Sequence, residues 1–149
     1  METEPERPDA GFTLIELLIV VVVLGIVATI AIVALFNALD KAKQRATMAD
    51  MRSLAEAIHA YEVDNGRAPD SSGGVASLNA VLVPYVSNVA PITDHWGHGY
   101  AYTSDAQGNY TVESYGKDGV DGSNISVTTR FEFDRDIVLS DGLFVASPE

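Results

Sequence analysis

Residues 12–36 form one apolar run, relieved only by Thr13, Glu16, Gly25 and Thr29. As an α-helix these 25 residues rise about 37 Å, more than the roughly 30 Å of a bilayer's hydrocarbon core. The run is too long for the apolar stretch of a secretory signal, which spans about 7–15 residues. It holds most of the chain's apolar excess (47% hydrophobic overall), while the residues after it are rich in Gly, Asp, Ser and Asn. The sequence therefore predicts one membrane-crossing helix near the N-terminus and about 110 further residues, enough for one small domain.

Glu16 does not suit a simple anchor. A carboxylate within a membrane span costs roughly 2.5–3.5 kcal/mol and calls for a partner. No Lys, Arg or His occurs between residues 10 and 40. Cleavage after Gly11 would create a cation, the α-amino group of Phe12, one helical turn from Glu16. That amine can meet Glu16 of its own chain or of a neighbouring copy, and the second pairing sets a register for assembly.

Beyond Phe36 the helical period continues. Leu35, Leu39, Ala42, Ala46 and Ala49 form one stripe, and Met51, Leu54, Ile58 and Tyr61 form a neighbouring one expected to face a core. Neither Pro nor Gly interrupts residues 26–65, and Asn65-Gly66 followed by Pro69 is a stop signal. One helix over about residues 13–64 is predicted, then a loop at 70–74 and a short helix at 75–83 closed by Pro84. Strands are expected at 100–104, 110–115, 126–133 and within 137–145 around Asp141-Gly142. Residues 105–109 read as a hairpin turn. The fold class is α+β, a long helix packed on an antiparallel sheet of three or four strands.

The net charge of −12 argues against nucleic acid as a partner, since phosphate binding wants clustered Lys and Arg. Cysteine is absent, so neither disulfides nor thiol chemistry enter. No nucleophile–base pattern or phosphate-cradling loop appears, and no catalytic role is expected. His95 and His98 flank Trp96, but with His59 as the one other histidine they read as turn residues, not zinc ligands. Trp96 is expected as a core anchor under the sheet. Residues 117–124 and 134–137 are dense in oxygen donors. Asp118, Asp121, Asp134 and Asp136 could serve calcium or could be two solvated acidic turns.

The string Gly11-Phe12-Thr13-Leu14-Ile15-Glu16, heading the apolar run, resembles the class III signal of type IV pilins and type II secretion pseudopilins. Tyr61-x-x-Asp64-Asn65-Gly66-Arg67-x-Pro69 and Asp94-His95-Trp96-Gly97-His98-Gly99-Tyr100 resemble motifs of the major pseudopilin (general secretion pathway protein G). His95 stands where that family usually has proline, as does Val33 in the helix. The resemblance implies a pilin fold divided into a leader (residues 1–11), a transmembrane and assembly helix (12–36), a helical stem (37–65) and a β-rich head (66–149). It implies that a prepilin peptidase cuts after Gly11 and methylates Phe12, and that Glu16 sets subunit register. The partners implied are other copies of the chain, an inner-membrane assembly platform, minor pilins or pseudopilins, and lipid. No cofactor is required, but the family's Gly/Asp loop binds calcium, which favours the four aspartates as ligands. The subunit would sit in the inner membrane with its head in the periplasm, then join a periplasmic pseudopilus or a surface pilus. A positive-inside count points the other way, with Lys41, Lys43, Arg45 and Arg52 after the span and Arg7 alone before it. Secretion pseudopilin is the first reading and type IV pilus subunit the second. A membrane-anchored binding module that never polymerises is the rival from another class.

Overall fold

A computed structural model describes residues 11–70, 74–86, 92–122 and 133–147. The chain divides into two compact units, residues 1–37 and 38–149. One helix, α1 (Leu14–Asn65), runs through the boundary, so the expected single helix is present. In the first unit every described side chain is exposed. The helix passes through Gly25 unbroken, with the Thr29 hydroxyl donating to the Gly25 carbonyl at 2.9 Å. Its most apolar 18-residue window has a mean hydropathy of 3.3 and is long enough to cross a membrane.

In the second unit α1 ends where Gly66 takes a left-handed φ of 78° and its N–H donates to the Glu62 carbonyl at 2.7 Å. The chain then turns under β1 (Ala101–Ser104). The Tyr102 and Ser104 hydroxyls both donate to the Pro69 carbonyl, at 2.8 and 2.9 Å. Helix α2 (Gly74–Leu82) begins and ends one residue before the expected span. The sheet continues with β2 (Tyr110–Ser114), β3 (Ile137–Ser140) and β4 (Leu143–Ala146). It is an antiparallel meander in the order β1-β2-β3-β4. Asp141 and Gly142 link β3 to β4 with φ of 48° and 79°, the pair of positive values that a two-residue hairpin needs. Of the strand expected at 126–133, residues 126–132 lie outside the described residues and Phe133 sits in a turn.

The core joins Met51, Leu54 and Ile58 of α1 to Val75, Leu78 and Leu82 of α2 and to Val112, Ile137 and Leu139 of the sheet. Tyr61 packs at its edge, its ring edge-on to Tyr85 at 5.7 Å. The Met51–Ile58 stripe faces the core as expected, and below Met51 the buried face of α1 adds Gln44 and Thr47, while Ala42 and Ala49 of the other stripe are exposed. Thr47 is tolerated there because its hydroxyl accepts the His95 N–H at 3.2 Å. One expectation, the placing of Trp96, needs correction. Trp96 is half-buried and outside the core, and its Nε1 donates to Asp40 at 3.4 Å. It rests against the stem instead of under the sheet.

Asp94 organises that turn. Its Oδ1 accepts the N–H groups of Trp96, Gly97 and His98 at 2.8–3.0 Å, and its Oδ2 accepts the Ser114 hydroxyl at 2.8 Å. The residue is buried, so loss of its carboxylate strands three donors, the Gly97 N–H keeping the Asp94 backbone carbonyl at 3.1 Å. Asp94→Ala is expected to destabilise the head by about 3 kcal/mol, measured by denaturant melting of a chain starting at Ala38. A loss below about 1 kcal/mol would show that water replaces the carboxylate.

Candidate functional site

The start of α1 is a reciprocal capping box. Thr13 is the N-cap, and its backbone N–H and hydroxyl both donate to Glu16 Oε2, at 2.9 and 2.8 Å. The Glu16 N–H returns a bond to Thr13 Oγ1 at 3.3 Å. The sequence read Glu16 as a charge awaiting a cation, but the uncleaved chain already gives its carboxylate two donors. The threonine three residues earlier was the missed signal. Gly11 and Phe12 precede the cap, with Phe12 82% exposed and no atom near the open face of Gly11.

The second site lies on the sheet. One carboxylate oxygen from each of Glu113, Asp121 and Asp136 falls within 4.8 Å of the others. Strand β2 places Glu113, paired with Val138 of β3, and Asp136 immediately precedes β3. Asp136 is buried at 7% exposure. Its Oδ2 accepts the Gly122 N–H at 2.8 Å, and its Oδ1 has no hydrogen-bond partner among the described residues. Burial, then the neighbouring carboxylates Asp136 and Asp121, pushes the Glu113 carboxyl up. Burial also raises Asp136, opposed by the Gly122 bond and assisted by Asp121 and Asp118.

Two of the four expected aspartates, Asp121 and Asp136, are therefore brought together. Asp118 is exposed, and its Oδ1 caps its own turn through the Val120 N–H at 3.1 Å. Asp134 is also exposed and outside the cluster. Glu113 takes the third place, a role hidden in the sequence by the alternation of β2, which made it look like a solvated strand residue.

The loop carrying Asp121 is strapped down. Lys117 Nζ donates to Asp40 of α1 at 2.8 Å, a bond that holds the Asp40 carboxyl below its ordinary range. The Lys117 N–H reaches the Phe133 carbonyl at 2.8 Å, and His98 Nδ1 lies 2.9 Å from the Gly116 carbonyl. Gly116 has φ of 63°, and a Cβ there would sit 2.6 Å from the Arg135 carbonyl oxygen, so only glycine fits. The histidines hold structural partners: His95 meets Asp50 at 3.0 Å and His59 meets Glu62 at 3.4 Å. Among the described residues they form no metal-ligand group.

An orphaned buried carboxylate oxygen within a three-carboxylate cluster fits a hard, oxygen-seeking cation. The cluster supplies three of the six to eight oxygens that calcium takes.

The family model for type II secretion system (T2SS) protein G matches residues 34–128, and that for the prokaryotic N-terminal methylation motif matches residues 7–32. The chain belongs to the type II secretion system protein G family. It is 32% identical over 128 residues to the type II secretion system core protein G of Klebsiella michiganensis, covering 79% of this chain and 90% of the relative. To the core protein G of Pseudomonas aeruginosa it is 30% identical over 131 residues, with the same coverages. The Vibrio cholerae core protein G is 32% identical over 129 residues, covering 78% of this chain and 86% of the relative. No solved structure matches the chain. Within this protein G family member the methylation motif spans the capping box, and the protein G match spans the stem and most of the head. Asp136, β3 and β4 lie beyond that match.

Proposed function

We propose that the chain is the major pseudopilin of a type II secretion system, a structural subunit that polymerises into a periplasmic filament. One coincidence carries the reading: the methylation motif heads the apolar helix of the same chain whose stem and head match protein G. A prepilin peptidase cuts between Gly11 and Phe12 and methylates the new amine. The subunit waits in the inner membrane with its head in the periplasm, in contact with an assembly platform and minor pseudopilins. Glu16 then exchanges its capping-box donors for the Phe12 amine of a neighbouring copy, which sets the register. Calcium is held by Glu113, Asp121 and Asp136, where it relieves the repulsion of three carboxylates and fixes the loop to the sheet.

Processing is the direct test. In cells with a prepilin peptidase the mature chain is expected to begin at N-methylated Phe12 by mass spectrometry. In cells lacking the peptidase residues 1–11 stay attached. A mature N-terminus elsewhere, or none, would remove the assignment of Gly11 and Phe12.

A further inference from the structure

A cleft of about 440 Å³ opens between α1 and the turn joining β3 to β4. Its lining includes Arg52, Glu56, His59, Glu62, Tyr110 and Asp141. The charges are not balanced. The Arg52 guanidinium is drawn aside onto the Phe144 ring, 5.1 Å from its centroid, a cation–π contact. Glu62 meets His59 at 3.4 Å, and Asp141 Oδ1 accepts the Tyr110 N–H at 2.9 Å. Glu56 is exposed and makes no hydrogen bond or ion pair among the described residues. Three carboxylates thus face one guanidinium in the cleft, and Glu56 is the one without a bonded partner among the described residues, which leaves an acidic seat for a further cation. Its rim at Asp141 lies beyond the stretch matching protein G, which ends at residue 128.

Cations are scarce in a chain of net charge −12 with nine Lys and Arg. Lys43 is exposed and makes no ion pair within contact distance among the described residues; it acts on the nearby Asp40 only through space, and Asp40 is already bonded to Lys117. Lys43 precedes Glu56 by 13 residues and His59 by 16. At 3.6 residues per turn this sets Lys43 about 140–160° around the stem from the cleft, and about 20 Å below Glu56. Within one chain the two cannot meet. A helical polymer uses heterologous contacts, in which one patch of a subunit meets a different patch of the next. Two complementary patches on opposite flanks of one stem meet that requirement.

We infer that the cleft beside Glu56 receives Lys43 of a neighbouring copy in the filament. The inference rests on the filament reading above and adds a stem-to-hairpin contact to it. Lys43→Glu and Glu56→Lys are each expected to cut filament yield about two- to fivefold, the range of a solvent-exposed ion pair. The two together in one chain should restore it. Failure of the double exchange to restore yield would overturn the inference. Cysteine pairing gives a second reading, because the chain has no cysteine of its own. Lys43→Cys with Glu56→Cys cannot close within one chain, since a disulfide needs Cα atoms within about 7 Å. Oxidised filaments should therefore give a ladder of cross-linked multimers. Filaments of normal yield without a ladder, or a ladder only when Arg45→Cys replaces Lys43→Cys, would overturn the seat and leave the filament reading standing. Absence of filaments from the unaltered chain would overturn both.

Discussion

Filaments should all but vanish from cells carrying Glu16→Ala, while the processed subunit accumulates in the membrane. An intramembrane carboxylate carries a penalty of roughly 2.5–3.5 kcal/mol, and about 1.4 kcal/mol is a factor of ten. Relief of that penalty at one register is worth about 100-fold in assembly, and alanine forfeits it. Alanine also breaks the capping box with Thr13, so the variant alone confounds helix start with charge. Glu16→Gln separates them, because glutamine can occupy the same capping position without a charge for the Phe12 amine. The expected order of filament yield is Glu16 far above Gln, with Gln near Ala. If Glu16→Gln assembles like the unaltered chain, the carboxylate is a cap and the register comes from elsewhere. An anchored binding module would pass through both variants unchanged.

Removing calcium should lower the melting temperature of the head by about 10 °C. A cation at about 100 times its dissociation constant contributes about 2.7 kcal/mol, and a domain of this size shifts by about 4 °C per kcal/mol. Without the cation, pH acts on the same cluster in the opposite sense. Glu113 and Asp136 hold their protons more tightly in the folded head than unfolded. Their contribution is therefore full below the ordinary carboxylate range and is lost as pH rises through the raised values. The chelated head should be favoured by mild acid and the calcium-loaded head by neutral pH, where the ligands are deprotonated. Asp136→Asn should abolish the calcium response and flatten the pH dependence of the chelated head. A chelator that shifts nothing at neutral pH would reduce the cluster to a solvated acidic turn.

Local signals carried the helices and the first hairpin. The apolar run, the Asn65-Gly66 stop and the alternation of residues 110–115 each depend on neighbours in sequence, and each element appears within a residue or so. What escaped depended on long-range packing. Trp96 looked like a core residue by type, yet its turn is held to Asp94 and Thr47, which aims the indole at Asp40. Glu113 joined the acidic cluster because antiparallel register sets β2 beside β3, a pairing that no local pattern states. The burial of Gln44 and Thr47 was not legible because the turn that docks on the stem, through the His95 N–H and Thr47, sets which lower face is covered. Glu16 was legible as the special residue, but a carboxylate in an apolar run points to a cation before it points to the threonine three residues earlier that caps with it.

The contacts between stem and head have a mechanical consequence. Asp40 with Lys117, Thr47 with the His95 N–H, and Asp50 with His95 are spaced along one rod, followed by Leu54 and Ile58 in the core. A thrust along that rod loads all of them in shear, so they share the force and must fail together. A sideways tug at the head would peel them one at a time. The same bonds that look modest singly make a joint that is stiff along the stem axis and yielding across it.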